Sequence, residues 1–569
     1  MDFGFRKKDN TNLFRAMSQV DGLNLRDLQN YLPLYEKFFD LTESNSNSFN
    51  LKNPMELTEL GEKNEDGSYK GRLCNQKGGE CFRNVFFKLS PVLDPIRYMV
   101  GKYDIGYEHL MKLPAFGSQD SHAKSRDPNN SAYVDGLFSH LTGHLLHSHK
   151  FPHGLDFFGS YLGTKVDMEI NVADDLEYLH ESEFFHKKRG VLFHVADDSI
   201  QAMFGSDTRN KRERLGIVGD SIDLDDVADV SCLDDALCDV FVTPLKQPQA
   251  ETVMGEADMS VESDDEGLDI RPDDDSDTCS SRSSVTSGSD DEGESDDEED
   301  EGSMTGSDWS EESVYMGATI PEFPVHVIAL EKCDQTFEDL INDGEEELPA
   351  KEWASAVFQI LMTLAYYQRS FGFTHNDLHA SNIMYVPTDR AYLTYKFSGK
   401  YYRVPTFGRM FKIIDFGRAI YKFRGTIVCS DSYHHRGDAA GQYNFGPYFD
   451  ERKPRLEPSF GFDLCRLGCA LYDTVIDNVE EGRDETSIYN IVASWCLDDQ
   501  GRNLLYKSNG EERYPGFKLY KMIARHARVN TTPEAVLRNP FFEKYNVSRK
   551  SFNKRTQVIN IDEAPVYTD

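Results

Sequence analysis

Residues 371–382 read FGFTHNDLHASN, and residues 412–419 read KIIDFGRA. In the first stretch His375, Asp377 and Asn382 make the spacing H-x-D-x-x-x-x-N; in the second Asp415, Phe416 and Gly417 make D-F-G. Such a pair suits phosphoryl transfer, where the protein does little covalent chemistry and much positioning. Asp377 would stand near the incoming hydroxyl as catalytic base, Asn382 would hold one Mg2+, and Asp415 would bridge metal to phosphates. Either stretch alone is a moderate signal. The two in this order, flanked by apolar strand-like residues, are a strong one.

At these residues the chain resembles the protein-kinase superfamily. The resemblance implies an α+β, two-lobed protein-kinase-like fold that uses ATP and Mg2+. Upstream, residues 84–89 (NVFFKL) alternate and are rich in Val and Phe, which predicts a strand. On the strand alone, Lys88 reads equally well as a solvent-facing lysine; the resemblance makes it the strand-three lysine that holds the ATP phosphates. Residues 130–146 carry apolar side chains at helical spacing (Val134, Leu137, Phe138, Leu141, Leu145) where a kinase places the helix that pairs with that lysine. Asp135 is the acid there, shorter than the usual Glu, and a solvated helix-face Asp is an equal reading.

A G-x-G-x-x-G is absent. Gly67/Gly71 and Gly78/Gly79 are the candidates, and Gly78 and Gly79 are assigned to the phosphates, with a plain hairpin as the even alternative. Residues 159–169 read as the next strand and residues 172–185 as an accessory helix. Residues 325–330 form a strand leading to a hinge, with Leu330 at the gate and Glu331, Lys332 and Cys333 offering backbone groups to adenine.

Downstream, residues 350–372 repeat Trp353, Val357, Ile360, Leu361, Leu364 and Tyr367 at helical spacing. Residues 390–411 alternate around Ser398-Gly399 and predict a β-hairpin. This hairpin and residues 437–473 resemble the serine/threonine kinases of large nucleocytoplasmic DNA viruses, a likeness that covers residues 84–190 and 324–545. It implies that Asp463, opening D-x-x-x-x-G, braces the catalytic loop, and that residues 531–545 are closing helices which aminoglycoside-type kinases lack. Three departures stand out. Asn376 replaces the arginine that often receives an activation-loop phosphate. His379 replaces a lysine that supports the transferring phosphate; a neutral His can still donate a hydrogen bond, so His379 joins Asp377 and Lys88 as a catalytic candidate. A-P-E is missing, with Glu457 as a substitute that would pair with Arg525 or Arg528.

The chain has 569 residues and a net charge of −37. Residues 251–313 hold about 25 Asp and Glu against two Arg, so roughly −23 of that charge sits there. This Ser-rich, acidic stretch lacks the apolar residues to offset ordering entropy, and residues 205–318 are expected to be a disordered insertion in the small lobe. Its serines before acidic clusters read either as acidophilic-kinase sites or as a solvated spacer. A nucleic-acid face is not expected, since clustered Lys and Arg are missing; basic protein substrates are. The ten cysteines show no C-x-x-C and read as reduced and without metal. No secretory h-region and no run of 18 apolar residues occur, so no membrane partner is expected, and the location expected is the host cytoplasm or the virion.

The expected organisation is an N-terminal extension (1–60, with an amphipathic helix at 25–39), the first part of the small lobe (61–204), the insertion (205–318), the last strand and hinge (319–333), the large lobe (334–546) and a C-terminal tail (547–569). The expected activity is ATP/Mg2+-dependent phosphorylation of protein Ser/Thr hydroxyls. Its rivals are a small-molecule hydroxyl kinase and a non-catalytic scaffold.

Overall fold

Strand-forming runs from the first third of the chain and from residues 317–331 pair into one antiparallel sheet. The computed structural model describes residues 3–75, 77–195, 316–342, 348–443, 458–476, 487–553 and 555–569. Its strands are β1 (Phe5–Lys7), β2 (Leu25–Gln29), β3 (Phe49–Leu51), β4 (Met55–Lys63), β5 (Tyr69–Asn75), β6 (Glu80–Pro91), β7 (Phe157–Asn171), β8 (His194–Val195), β9 (Gly317–Glu331), β10 (Ile383–Pro387), β11 (Tyr392–Phe397), β12 (Lys400–Pro405), β13 (Arg409–Ile413), β14 (Ile420–Phe423), β15 (Thr426–Cys429) and β16 (Ile559–Asn560). The helices used below are α1 (Thr11–Gln19), α2 (Pro95–Met99), α3 (Ala123–Arg126), α4 (Ser131–Ser148), α5 (Leu176–Glu181), α6 (Glu183–Lys188), α7 (Phe337–Asn342), α8 (Ala350–Phe371), α9 (Phe462–Ile476), α10 (Ile488–Ser494), α11 (Lys518–His526) and α12 (Pro533–Val536). The fold is mixed α+β. Among the described residues no helix is long and apolar enough to cross a membrane.

The large sheet runs in the order β2-β7-β9-β6-β5-β4, with β8 pairing β9. β7 and β9 face each other from Leu330 opposite Phe157 to Gly317 opposite Asn171. The chain therefore leaves and re-enters the sheet at one place, and everything between is an insertion whose ends are already held together. Closing such a loop costs entropy that grows only with the logarithm of its length. The expected disordered segment lies, apart from residues 316–318, outside the described residues, as does Glu457.

Two expected boundaries are corrected. Residues 1–60 are not an extension: β2 forms an edge of the large sheet, and β1 pairs β3. The amphipathic helix expected at 25–39 is instead β2 followed by a 3-10 turn at Pro33–Lys37. Leu32, Leu34 and Tyr35 are buried there, but Pro33 interrupts any longer helix. Residues 547–569 are likewise no tail. β16 adds in parallel to β11, and the Tyr567 ring stacks on Phe371 with centroids 5.4 Å apart.

The second core gathers around α8, buried along most of its length: Trp353, Val357, Ile360, Leu361, Leu364 and Tyr367 are all inside. Gly372 ends it in the left-handed conformation (φ +53°), the usual C-terminal stop, and turns the chain toward His375. β10 and β13 pair from Ile383–Ile413 to Pro387–Arg409, which sets Asn382 beside Ile414 and hence near Asp415. The hairpin β11–β12 between them turns at Ser398 and Gly399, both with positive φ, as a two-residue turn requires.

α4 lies unusually close to the sheet. A Cβ on Gly136 would sit 2.2 Å from His326 Cε1 on β9. His326 locks that approach: its Nδ1 donates to the Ala132 carbonyl oxygen (2.7 Å), while the Ser160 hydroxyl donates to Nε2 (2.6 Å). In most helices Gly→Ala gains up to about 1 kcal/mol. Here Gly136→Ala is expected to lose about 1–3 kcal/mol by overpacking, read as a lower urea midpoint at unchanged slope.

Candidate functional site

Lys88, on β6, reaches two carboxylates at once. Its Nζ lies 2.6 Å from Asp135 Oδ2 on α4 and 2.7 Å from Asp415 Oδ1. The pair with Asp135 is thus formed, and the shorter acid suffices because Gly136 lets α4 come close. Asp135 also accepts a hydrogen bond from the Phe416 backbone N–H (3.0 Å), and one helical turn on, Phe138 packs on the Phe416 ring at 4.7 Å. Burial would lower the Lys88 pKa, but the two carboxylates outweigh it and raise it. Burial also pushes Asp135 up, against the pull of Lys88. For Asp415 that pull wins, and the group is held below the ordinary carboxylate range.

α4 is fixed at its start by the segment that follows Asp415. Asn130 caps it through Ala132 N–H (3.1 Å), and Asp431 accepts from Ser131 N–H (2.8 Å) while pairing with Lys124 on α3. A carboxylate at a helix N-terminus meets unpaired N–H groups and the positive end of the dipole.

The loop after α8 is organised by Asp463 at the start of α9. This buried carboxylate accepts from the His375 and Asn376 backbone N–H groups, both at 2.9 Å. His375 donates from Nε2 to the Ile414 carbonyl oxygen (2.8 Å) and serves as a structural link between the two motif stretches. Asn376 is buried with φ +67°; its amide donates to the Arg418 carbonyl oxygen (3.2 Å) and accepts from the Tyr443 hydroxyl. Asp415 also has positive φ (+61°), a region that Asp and Asn tolerate better than most residues.

Asp377, His379, Asn382, Asp415, Lys88 and Asp135 line one cavity of about 380 Å3. Asn382 Nδ2 donates to the Asp377 carbonyl oxygen (2.9 Å) and to His379 Nε2 (3.0 Å), which leaves its Oδ1 for a cation. That oxygen and the Asp415 carboxylate are the hard donors Mg2+ prefers, and Mg2+ completes its shell with phosphate oxygens and water. No group of three or more His, Cys, Asp or Glu ligands stands ready for a metal among the described residues; an ion bound through substrate phosphates needs none.

The structure corrects three site expectations. His379 has no N–H left for a phosphate: Nε2 accepts from Asn382, so Nδ1 carries the proton and faces Ser381 Oγ (3.1 Å), which in turn bonds Glu338 on α7. Burial lowers its pKa, so it stays neutral and orients Asn382. Gly78 and Gly79 form the β5–β6 turn at the far end of β6; nine residues of strand, about 30 Å, separate Gly79 from Lys88. The β4–β5 turn at Gly67 (φ +77°) is the one alongside the Lys88 end, since Tyr69 pairs with Val85. Leu330, Glu331, Lys332 and Cys333 do not line the cavity. Leu330 and Cys333 are buried, and the Glu331 backbone N–H is spent on the Asp156 carbonyl oxygen (2.9 Å).

Sequence reasoning missed the partners of Asp377. The Tyr520 hydroxyl on α11 donates to its Oδ1 (2.9 Å), and Arg418 Nη1 stands 3.4 Å from its Oδ2. Arg418 also binds Asp438 through Nε (3.0 Å) and Nη2 (2.7 Å). Arg418 directly follows D-F-G and could have been noticed; no periodicity or spacing marks Tyr520 or Asp438.

Burial raises the Asp463 pKa to about 6, above the 3.8 of a free Asp. The folded chain therefore binds this proton more tightly than the unfolded one. Its contribution to stability is full below about pH 4 and is lost as pH rises through 6, a slope worth on the order of 3 kcal/mol. Asp463→Asn should flatten that part of the stability–pH curve and, by leaving one backbone N–H without its acceptor, cost about 1–3 kcal/mol in urea unfolding at pH 7.

No protein-family model matches the chain, and comparison with curated proteins finds no match.

Proposed function

We propose that this chain is an ATP/Mg2+-dependent protein kinase of two-lobed kinase fold that phosphorylates Ser/Thr hydroxyls. The observation that carries this reading is Lys88 held between Asp135 and Asp415, in one cavity with Asp377 and Asn382. A scaffold has no physical need for all of them together. The strand order β4-β5-β6-β9-β7, with the Lys88 strand central, supports the fold reading.

In this reading Lys88 neutralises phosphate oxygens and exchanges part of its contact with Asp415 for them. Asp415 and Asn382 Oδ1 would hold Mg2+, which screens charge on the phosphate oxygens. Asp377 orients the acceptor hydroxyl and takes its proton as the new O–P bond forms. The bond between the γ-phosphorus and the β–γ bridging oxygen breaks, and its electron pair leaves with ADP. Tyr520 holds one Asp377 oxygen, so the hydroxyl approaches the other. Substrate proteins of host or virus, basic ones in particular, fit the overall negative charge. A cytoplasmic or virion location belongs to the same reading.

The non-catalytic scaffold keeps one observation in its favour: the cavity does not extend to residues 330–333. Transfer of γ-phosphate from radiolabelled ATP to histone and casein decides between them. Wild type is expected to label protein, Asp377→Ala to abolish labelling, and Lys88→Met to reduce it by about 100-fold or more. Equal silence of all three, with no nucleotide bound, overturns the reading.

A further inference from the structure

A transferring phosphoryl group gathers negative charge on its equatorial oxygens, and a fixed cation beside them is worth more in a dry cavity than in water. His379 cannot serve: it is neutral and both ring nitrogens are used within the loop. We propose that Arg418 is the catalytic cation that donates to the transferring phosphoryl group, an inference that rests on the protein-kinase reading above.

Arg418 is 7% exposed and lines the same cavity as Lys88, Asn382 and Asp415. Its position is fixed from both ends. The backbone carbonyl accepts from the Tyr433 hydroxyl (2.7 Å) and from Asn376 Nδ2 (3.2 Å). At the head, Asp438 takes Nε and Nη2. The remaining nitrogen, Nη1, is buried and has no hydrogen-bond partner. It sits within ion-pair range of Asp377 Oδ2 without the geometry of a hydrogen bond. A buried guanidinium N–H left without an acceptor is the exception in folded proteins, and this one lies 3.4 Å from the Asp377 oxygen that would receive the acceptor hydroxyl. As the acceptor oxygen bonds to the γ-phosphorus and the bridging oxygen departs with ADP, Nη1–H donates to an equatorial oxygen. The hydroxyl proton passes to Asp377. Asp438 acts as a positioning residue, orienting the guanidinium and balancing its charge.

The experiment uses the full chain as wild type, Arg418→Gln, Arg418→Lys and Asp438→Asn. Rates of γ-phosphate transfer are measured beside equilibrium binding of MgATP and MgADP by calorimetry. Arg418→Gln is expected to lower kcat about 100-fold, leave MgADP affinity unchanged and lose the preference for MgATP over MgADP. Arg418→Lys keeps the charge and should keep that preference, which also answers the case where Arg418→Gln does not fold. Asp438→Asn, which removes the balancing charge while its Oδ1 can still accept from Nε and Nη2, should cost less than about tenfold in kcat. An Arg418→Gln enzyme with wild-type kcat overturns this inference alone, as does a loss that Asp438→Asn reproduces in full, or a parallel fall in both affinities. Wild type that transfers no phosphate removes the kinase reading, and this inference with it.

Discussion

The site depends on one partly buried cation shared by two carboxylates, the buried Asp135 and the more exposed Asp415. Lys88 joins β6, α4 and the segment after β13 through a single ammonium group, so displacing β6 or α4 leaves the buried Asp135 or the partly buried Lys88 without one of its partners. Breaking a buried pair on one side is far more costly than the net gain from forming it. The geometry around Lys88 is therefore over-determined. Gly136 and His326 set the distance of α4 from the sheet, Phe138 ties α4 to Phe416, and Asp431 closes its N-terminus. A short acid on α4 works only because the backbone approach supplies the length that its side chain lacks.

A second constraint acts on the loop from His375 to Asn382. Two of the backbone conformations in these stretches, at Asn376 and Asp415, lie in the left-handed region. Such conformations persist where the surroundings hold them. Asp463 holds one from below through two N–H groups, and the Lys88 pair holds the other. His375 connects the two stretches by its bond to the Ile414 carbonyl oxygen. The cost of these conformations is local, and the cores that offset it are the buried α8 and the cluster in which Phe138 stacks on Phe373 and both meet Phe416 edge-on.

Much of this was legible in the sequence where local pattern and tertiary role agree. The strand bearing Lys88, the apolar stripe of α8 and the Ser398-Gly399 hairpin follow from periodicity and turn chemistry. Asp135 was legible as a candidate but its pairing was not, because the pairing depends on a helix–sheet distance set by Gly136 and His326, 190 residues apart. The glycine assignment failed for a related reason. Gly78-Gly79 and Gly67 look alike as turns, and only the register of β5 against β6 tells which turn lies beside Lys88. The residues expected as an extension and a tail read as unremarkable because β2 and β16 are short and take their stability from partners distant in sequence. His379 was misjudged because its protonation follows from the Asn382 amide, a contact with no signature in the chain.

Residues 376 and 379 are uncharged in a loop that has two buried arginines beside it. Asp377 already has Arg418 at 3.4 Å, and a second buried guanidinium, Arg466, lies over the Tyr520 ring at 4.8 Å, the same ring whose hydroxyl bonds Asp377. An arginine at 376 would add a third buried cation beside a carbonyl that Asn376 now satisfies. A lysine at 379 would add a further one near Asn382. Like charges crowded in a low-dielectric site disfavour one another, and the surplus would have to be neutralised or expelled. A neutral amide at 376 and a neutral imidazole at 379 avoid that cost while still making the hydrogen bonds the loop requires. Positive charge is carried instead by the two arginines near Asp377, each held in its charged form by neighbours that include that carboxylate.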